Sequence, residues 1–474
     1  MMELTNWLEK RVRLSPEKTA LVFHDKQETF VEVYDAVQKV AGKLGGFGVR
    51  QGAYVALLGR NDRDTFLMIH ALQQIGARTV FLNNRLTATE IVFQIQDARV
   101  ACCFYADEFA PKMVSLDVEA NSFSSVMSAP VLDIPLVPNF AMDEVASVMY
   151  TSGTTGKPKG VMQTFGNHWW SATGSMLNLG LEASDSWLCA VPIFHISGLS
   201  ILMRSVIYGI PVYLEEHFDA RRTDALLRNG EVTMISVVTT MVERLLDVFQ
   251  EPYHPHFRCM LLGGGPASQS LLEACFENGI PLVQSFGMTE TASQIVTLPP
   301  EEALQKIGSA GKALFPAEVK IGEHDEILLK GPSIMAGYLH NEKATEGAFD
   351  ADGWFQTGDI GYIDEDGFLF VLERRSDLII SGGENVYPTE IEHVLLEHPS
   401  VAEVAVVATP SEKWGEVPVA FVVTKTGIES QSLLTFCEQR LAKFKIPQQF
   451  YFLEKLPKTA SQKVQRHRLK ERLH

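Results

Sequence analysis

The sequence predicts an α/β fold built around parallel β-sheets. Short apolar runs alternate with amphipathic stretches from Thr29 to Tyr105, and the same alternation returns between residues 232 and 287. Parallel strands need crossover connections, which are usually helices, so this alternation is typical of crossover units. The chain of 474 residues is also too long for one ordinary core. We therefore expect more than one domain.

The first region contains three helical and three strand-like segments. Apolar residues recur with helical spacing in residues 30–44, 63–76 and 87–98, and short apolar runs occupy residues 53–59, 78–82 and 99–105. Helices and strands therefore alternate along this part of the chain.

The second region repeats the arrangement. Segments that begin as strands are expected in residues 232–238, 257–265 and 281–287, the last two ending in Gly-containing turns, with helices in residues 239–249 and 268–279. Ligands of such sheets bind beyond the carboxyl ends of the strands. The sequence therefore predicts ligand-binding turns at Gly263-Gly264-Gly265 and at Ser285-Phe286-Gly287.

Beyond about residue 310 the pattern changes to short strands and turns. Residues 362–374 predict a hairpin with Asp366-Gly367 in its turn. Further on, helices are expected at residues 389–398 and 431–444, and strands at residues 401–409 and 418–424. The charged residues from Glu373 to Asp377 mark a boundary, giving predicted domains of residues 1–373 and 374–474.

The composition indicates a globular protein, with 46% hydrophobic and 21% charged residues. The net charge of −17 argues against a nucleic-acid surface. The last 21 residues nevertheless hold seven Lys or Arg against two Glu. This basic end is typical either of a solvated terminal helix or of a site for a small polyanion.

The localisation predicted from the sequence is cytoplasmic. Residues 1–18 carry charges where a signal peptide needs an apolar run, and Arg204 interrupts the most apolar stretch, residues 196–214. Six cysteines are scattered without a Cys-x-x-Cys pair, so reduced thiols are expected. The sequence leaves the oligomeric state open, a homo-oligomer included.

Residues 151–160 read Thr-Ser-Gly-Thr-Thr-Gly-Lys-Pro-Lys-Gly and are rich in the small donors and cations that bind phosphate. A Walker loop needs four residues between its glycines and a helix after its lysine. Here the glycines are closer, and Pro158 and a strand-like segment follow the lysine. The loop is therefore predicted to join two strands, which disfavours a kinase or a Walker-type ATPase.

This loop resembles the signature loop of the adenylate-forming enzymes, which include acyl- and aryl-CoA synthetases. Further segments are similar to later motifs of that family, in the family's order: Ser285–Glu290, Trp354–Gly361, Glu373–Glu392 and Leu456–Lys463. The resemblance implies a large N-terminal domain of doubly wound mixed sheets plus a distorted barrel. It also implies a small mobile α+β C-terminal domain.

The resemblance further implies a two-step reaction with ATP, Mg²⁺ and CoA. A carboxylate attacks the α-phosphate and expels pyrophosphate, and a thiol then attacks the acyl-adenylate. Charge builds on phosphate oxygens, which explains the need for cations and donors.

The resemblance implies a role for each residue of these motifs. Lys463, Thr289 and His195 are the expected catalytic residues, and Glu290 is the expected Mg²⁺ ligand. Ser376 is the expected hinge, and Gly382 and Gly383 line the expected CoA tunnel. The expected ATP-binding residues are Thr151, Ser152, Gly153, Thr154, Thr155, Gly156, Lys157, Lys159, Gly263, Gly264, Gly265, Ser285, Phe286, Gly287, Thr289, Asp359 and Arg374.

Arg204 is the main indicator of the acid. It follows the Phe194-His195 pair, which borders the acyl pocket in this family, and it interrupts an apolar helix. A buried Arg needs an anion, which is either a protein carboxylate or a second carboxylate of the substrate. Ser197 and Thr239 are further pocket candidates beside His195.

Residues 164–168, 194–200, 261–267 and 381–388 are similar to a narrower family, the o-succinylbenzoate–CoA ligases of menaquinone biosynthesis. Their substrate is a small aromatic dicarboxylate. Three alternatives remain open: a carrier-protein adenylation enzyme, a synthetase for a monocarboxylic acid, and a non-catalytic ATP-binding regulator. Neither nucleic acid nor a membrane is an expected partner.

Overall fold

The computed structural model describes most of the chain: residues 2–114, 116–151, 158–264, 267–374, 377, 379–381, 384–386, 388–411, 414–441, 443–458 and 464–473. Of residues 373, 374, 380, 384 and 385 it describes the backbone alone. The chain divides into two compact units. The large unit is Met1–Lys320, Leu329–Phe355 and Asp364–Leu369, and the small unit is Ile321–Leu328, Gln356–Ile363 and Phe370–His474.

The described chain contains 15 α-helices and 27 strands. The helices are α1 (Trp7–Leu14), α2 (Phe30–Gly45), α3 (Arg63–Ile75), α4 (Ala88–Asp97), α5 (Phe123–Ser128), α6 (Phe165–Leu179), α7 (Ile196–Tyr208), α8 (Ala220–Asn229), α9 (Thr239–Leu246), α10 (Gln269–Glu277), α11 (Pro300–Ala303), α12 (Glu342–Glu346), α13 (Pro388–Leu396), α14 (Ser430–Glu438) and α15 (Arg466–Lys470). The strands as far as β17 are β1 (Glu3–Thr5), β2 (Thr19–Phe23), β3 (Lys26–Thr29), β4 (Tyr54–Leu58), β5 (Arg78–Phe81), β6 (Cys102–Tyr105), β7 (Glu119–Ser122), β8 (Asn139–Ala141), β9 (Val145–Thr151), β10 (Lys159–Thr164), β11 (Trp187–Cys189), β12 (Val212–Leu214), β13 (Met234–Val237), β14 (Cys259–Leu262), β15 (Leu282–Met288), β16 (Ser293–Leu298) and β17 (Ser309–Ala313). The later strands are β18 (Glu318–Ile321), β19 (Glu326–Lys330), β20 (Gly337–Tyr338), β21 (Phe355–Ile363), β22 (Leu369–Arg374), β23 (Ile379–Ser381), β24 (Glu384–Val386), β25 (Val401–Ser411), β26 (Gly415–Thr424) and β27 (Phe450–Phe452).

The large unit contains two mixed sheets. In one, the strand order is β20-β10-β9-β5-β4-β6-β7, with parallel pairs from β9 through β7 and antiparallel pairs at the β10 end. In the other, the order β15-β14-β13-β11-β12-β2 is parallel throughout, and the antiparallel strands β16 and β3 flank it. The predicted α/β class with crossover helices is confirmed.

The small unit has its own sheet, with the order β24-β23-β26-β25 and β27 parallel to β26. The long antiparallel pair β25–β26 forms its centre. Helices α13 and α14 contribute Ile391, Leu395 and Leu433 to the core beneath this sheet. Since strands and helices are both present and the sheet is mainly antiparallel, the predicted α+β character is confirmed.

Two helices of the large unit matter for the candidate site. Helix α6 starts directly after β10, because the Thr164 side chain accepts a hydrogen bond from the Asn167 amide and the Asn167 side chain accepts one from the Thr164 amide. Helix α7 is buried from Gly198 to Val206 and ends at Gly209, whose positive φ of 73° suits glycine. Arg204 therefore lies in the buried part of an otherwise apolar helix.

One predicted turn is part of a strand. Residues Ser285-Phe286-Gly287 were expected in a turn beyond the strand, but β15 continues through them to Met288. The reason is that β16 returns antiparallel beside β15 and extends the hydrogen-bonded ladder, with a register shift between Phe286 and Gly287. The Gly263-Gly264 turn does follow β14, as expected.

The thiols and the helices agree with the composition. All six cysteines are buried free thiols. Burial raises the pKa of Cys102 to about 11, so this thiol stays protonated at neutral pH.

Within the described residues, none of the helices combines the length and the apolar character needed to cross a bilayer.

Candidate active site

The strand pair β9–β10 brings the two described ends of the phosphate-type loop together. Thr151 ends β9, Lys159 begins β10, and the two residues are paired across the ladder. The loop therefore joins two antiparallel strands, as predicted. Ser152, Gly153, Thr154, Thr155, Gly156 and Lys157, which form the rest of the loop, lie outside the described residues.

Glu290 is the carboxylate at this edge of the large unit. The hydroxyls of Thr151 and Tyr338 lie 3.4 and 3.3 Å from its Oε1 and donate to it. Lys159 Nζ lies 4.8 Å from the centre of the Tyr338 ring, a cation–π distance. Glu290 is 9% exposed, so it is a partly sheltered anion surrounded by donors and a cation.

Thr289 and Glu290 lie on the turn between β15 and β16. Gln163 Nε2 donates to the Thr289 carbonyl over 2.7 Å, and the Met335 amide donates to the Glu290 carbonyl over 2.8 Å. Two non-glycine residues in this turn have positive φ, Ala292 at 53° and Ser293 at 114°. Such a backbone persists only where its surroundings hold it.

The predicted ATP-binding residues Gly263, Gly264 and Ser285 to Gly287 lie at the ends of β14 and β15. Ser285 Oγ donates to the Leu262 carbonyl over 2.8 Å, and Phe286 is half-buried. Gly264 has a φ of 86°, which favours glycine. At Gly287, a Cβ would lie 2.2 Å from the Ser293 carbonyl oxygen, so glycine is also needed there for packing. Gly265 lies outside the described residues.

Asp359 belongs to the small unit. It lies in β21, is 5% exposed, and its amide donates to Thr357 Oγ1 over 3.0 Å. The preceding Gly358 has a φ of 70° and donates its amide to Glu326. Arg374 ends β22. Its side chain, and the whole of Ser376, Gly382, Gly383 and Lys463, lie outside what the structure describes.

The predicted acid-pocket residues lie at the starts of two helices. His195 is the N-cap of α7, with its ring 4.8 Å from the Phe194 ring, and Ser197 is exposed in the first turn. Thr239 is the first residue of α9. These polar residues thus lie at the N-termini of α7 and α9, whereas Arg204 lies deeper in α7.

Arg204 is a buried cation, only 1% exposed. Its guanidinium lies 5.2 Å from the centre of the Trp187 ring. Its Nε and both terminal nitrogens have no hydrogen-bond partner among the residues that the structure describes. Burial lowers the pKa of Arg204 from its ordinary value. An unpaired buried cation is costly, and a bound carboxylate would relieve that cost.

The basic end of the chain is partly paired with acidic residues. Arg466 makes a two-pronged contact with Glu392, at 2.7 and 2.8 Å, and Lys458 lies 2.8 Å from Glu403. Arg466 and Lys458 therefore form ion pairs within the small unit.

Two family models match the chain. The model described as AMP-binding enzyme matches residues 8–339, more than half of the chain, and the model described as AMP-binding enzyme C-terminal domain matches residues 390–463. The chain belongs to the AMP-binding enzyme family.

Relatives within this family resemble the chain over its full length. A 2-succinylbenzoate–CoA ligase of Listeria innocua is 64% identical over 99% of both chains. One of Geobacillus kaustophilus is 50% identical over 99% of this chain and 98% of its own. The o-succinylbenzoate CoA synthetase of Bacillus subtilis, solved with its acyl-adenylate intermediate, gives a TM-score of 0.96 at 45% identity and 99% coverage of both chains. The same enzyme solved with ATP and a magnesium ion gives a TM-score of 0.95 at 45% identity, and the match covers 99% of this chain and 100% of that chain.

The donor set around Glu290 fits a magnesium ion of the kind an AMP-binding enzyme uses. Magnesium is usually held by one or two carboxylates together with substrate phosphates, not by a cage of protein ligands. In the described ranges, no group of three or more His, Cys, Asp or Glu side chains is placed to hold a metal ion. Glu290 is therefore suited to share the ion with ATP.

Sequence reasoning missed the residues that support the site. Gln163, Tyr338 and Trp187 contact Thr289, Glu290 and Arg204, respectively. None belongs to a recognisable motif, because each acts through a contact formed by strands or loops distant along the chain. The one available signal in the sequence was the polar residue Gln163 inside β10, the strand that follows the phosphate-type loop.

Proposed function

We propose that this chain ligates 2-succinylbenzoate to CoA through an acyl-adenylate, with AMP and pyrophosphate as the other products, in menaquinone biosynthesis. One observation carries the proposal. The similarity to ligases of this acid extends over 99% of the chain, in sequence and in backbone. It thus includes both regions that the two family models match.

In the first half-reaction, an oxygen of the succinyl carboxylate attacks the α-phosphorus of ATP, and the bond to pyrophosphate breaks. Thr289 and the loop from Thr151 to Lys159 donate to the phosphate oxygens, and Glu290 holds Mg²⁺. The ion, when bound, neutralises charge on the departing phosphates. The Thr151–Glu290–Tyr338 contacts support this assignment, since they hold the carboxylate in one orientation.

The nucleoside end of ATP is assigned to four groups of residues. Phe286 stacks on the adenine, and Gly263, Gly264 and Gly265 admit the ring close to the backbone. Asp359 accepts hydrogen bonds from the ribose hydroxyls, and Arg374 reaches the ribose or the phosphates. The positive φ of Gly264 and the half-buried Phe286 ring are consistent with these roles.

In the second half-reaction, the CoA thiol attacks the acyl carbonyl and AMP leaves. Lys463 acts earlier, because it stabilises the transition state of the first half-reaction. A rotation about Ser376 then brings Gly382 and Gly383 to line the pantetheine tunnel. These roles rest on the motifs alone, because these residues lie outside the described ranges. The protein is proposed to act in the cytoplasm.

Arg204 is proposed to bind the second carboxylate of the substrate, the one attached to the ring. Its unpaired, buried guanidinium supports this role, since no protein carboxylate in the described ranges neutralises it. His195, Ser197 and Thr239 are proposed as further pocket residues. Because Arg204 is enclosed, acid binding must displace side chains that now cover it.

Pyrophosphate release from ATP tests the proposal with a panel of acids, with and without CoA. We expect release with 2-succinylbenzoate and formation of its CoA thioester once CoA is added. The controls are 4-oxo-4-phenylbutyrate, which lacks only the ring carboxylate, and 2-propionylbenzoate, which lacks only the succinyl carboxylate, and both should react far more slowly. Equal rates with a monocarboxylic acid would indicate a general acyl- or aryl-CoA synthetase. Adenylation without a soluble thioester would indicate a carrier-protein adenylation enzyme.

A further inference from the structure

A chain of three buried side chains, from His168 through Ser147 to Gln163, ends at the turn that carries Thr289. Ser147 Oγ lies 2.7 Å from Gln163 Oε1 and 2.8 Å from His168 Nε2. Gln163 Nε2 then donates to the Thr289 carbonyl over 2.7 Å. Gln163, Ser147 and His168 are 0%, 1% and 2% exposed, so water does not compete for these contacts.

The chemistry of the groups fixes the direction of every hydrogen bond in this chain. An amide oxygen only accepts, so the single Ser147 proton is donated to Gln163 Oε1. Ser147 must then accept from His168, which places a proton on His168 Nε2. Burial, reinforced by the positive charge of Arg204, lowers the pKa of His168 to about 4, so the ring is neutral at pH 7. The Gln163 amide is thus held with its NH₂ group toward Thr289.

The turn that receives this hydrogen bond is strained and is held from several sides. Ser171 Oγ of α6 donates to the Ala292 carbonyl over 2.7 Å, close to the two positive-φ residues. Thr291 is completely buried and accepts from the Met288 amide over 2.9 Å. Gln163 is the side chain of β10 that contacts the turn at the residue proposed to meet the α-phosphate.

We infer that Gln163 is a positioning residue for adenylate formation. Its amide, oriented by Ser147 and His168, holds the Thr289 backbone where the Thr289 hydroxyl and the Glu290 carboxylate meet the phosphate and its ion. This inference rests on the proposed function, which assigns those two residues to the reaction. Catalytic groups must be held within about 0.5 Å of their productive position. A misplacement of about 1 Å costs about 100-fold in rate.

The first test replaces Gln163 by Leu. We expect the kcat of acid-dependent pyrophosphate release to fall about 10- to 100-fold, with the KM for ATP and for the acid changing less than about threefold. Gln74→Leu is the matched control. Gln74 is also a buried glutamine, 3% exposed, and donates to Asn6 Oδ1 over 2.9 Å, but it lies on α3. The Gln74→Leu variant should lose thermal stability and keep the kcat of the wild type.

The second test, Gln163→Glu, separates positioning from general damage to the fold. A protonated carboxyl can accept from Ser147 and donate to the Thr289 carbonyl, whereas an ionised one cannot donate. Burial raises the pKa of such a carboxyl. The charged groups around the chain are Glu290 on the turn and Arg204 beyond His168. We expect the ratio of variant to wild-type kcat to rise as the pH is lowered from 8 to 6.

The outcomes distinguish the inference from the proposed function. Two outcomes would overturn the inference alone, provided that the wild type is active. In one, Gln163→Leu has the same kcat as Gln74→Leu. In the other, the ratio of the Gln163→Glu kcat to the wild-type kcat does not change with pH. A wild type that releases no pyrophosphate with any acid would overturn both. If Gln163→Leu does not fold, the pH profile of Gln163→Glu decides.

Discussion

At the scale of single residues, Arg204 is the residue proposed to select the acid. Buried arginines are usually paired with carboxylates. Even the partly buried Arg258 of the same unit is paired, at 2.8 and 2.5 Å from the two carboxylate oxygens of Asp185. Arg204 instead stacks on Trp187 with its nitrogens unpaired within the described residues. The free protein is therefore less stable than it would be with an apolar residue there, as is common where a ligand supplies the missing partner.

Arg204→Met should separate stability from substrate binding. We expect the melting temperature of the free protein to stay the same or rise, because the substitution removes an unpaired buried charge. The KM for 2-succinylbenzoate should rise at least ~30-fold, equivalent to about 2 kcal/mol, with the KM for ATP unchanged. Thermal unfolding and initial rates measure the two effects.

Arg258→Met is the matched control. It leaves Asp185 buried without its cation, so the protein should lose about 3 kcal/mol of stability and keep its KM for the acid. If the two variants changed stability alike, or if Arg204→Met changed both KM values equally, Arg204 would be a structural residue.

Two buried histidines make the stability of the large unit depend on pH. Burial lowers the pKa of His70 and His168 to about 4. The unfolded chain binds these protons near pH 6.5 and the folded chain does not, so each histidine stabilises the fold above pH 6.5. This stability is lost as the pH falls from about 6.5 to 4, by about 1.4 kcal/mol per pH unit for each residue.

His70→Leu tests this dependence without touching the proposed site. We expect its free energy of unfolding to fall less steeply than that of the wild type between pH 6.5 and 5, measured in urea. A slope identical to the wild type would contradict the effect of burial on His70.

At the scale of elements, the turn between β15 and β16 is the most constrained feature of the site. A Cβ at Gly287 would lie 2.2 Å from the Ser293 carbonyl oxygen, so β15 and β16 can approach only because residue 287 is glycine. We expect Gly287→Ala to cost about 1–3 kcal/mol and to lower the kcat for adenylate formation.

Gly427→Ala is its control. A Cβ at Gly427 meets no atom within 4 Å, so this substitution should leave stability and kcat close to wild type. Thermal unfolding and pyrophosphate release measure both variants. If Gly287→Ala behaved like Gly427→Ala, the close approach of the two strands would not constrain the turn.

The order of helices and strands could be predicted from the sequence, because each depends on local periodicity. The helix over residues 63–76, for example, is α3, and the apolar run of residues 53–59 contains β4. The extension of β15 through Gly287 could not be predicted, since it depends on the antiparallel partner β16. For the same reason, the motifs indicated Thr289 and Glu290 but not Gln163, whose contact with them joins residues 126 positions apart.

At the scale of the whole molecule, the residues proposed for the two half-reactions are divided between the two units. Thr289, Glu290 and Arg204 belong to the large unit, whereas Asp359 belongs to the small unit. Both family models are matched in a single chain. The two half-reactions should therefore be separable by substitution.

The substitution Lys463→Met should separate the two half-reactions. The lysine is proposed to act on the first transition state only, so we expect pyrophosphate release to fall by at least ~100-fold. The rate of thioester formation from supplied acyl-adenylate and CoA should stay within about threefold of the wild type, if Lys463 makes no contact in that step. Rapid-quench measurement of each step checks this. Equal losses in both steps would contradict the assignment.

The most direct test of the central claim is the fate of a labelled carboxylate oxygen. In the proposed reaction, the oxygen of the succinyl carboxylate that attacks phosphorus leaves with AMP when the thiol attacks. With ¹⁸O in the succinyl carboxylate of 2-succinylbenzoate, mass spectrometry should find one ¹⁸O atom in AMP, and with ¹⁸O in the ring carboxylate none. Label in pyrophosphate, label in AMP from the ring carboxylate, or unlabelled AMP from the succinyl-labelled acid would contradict the account.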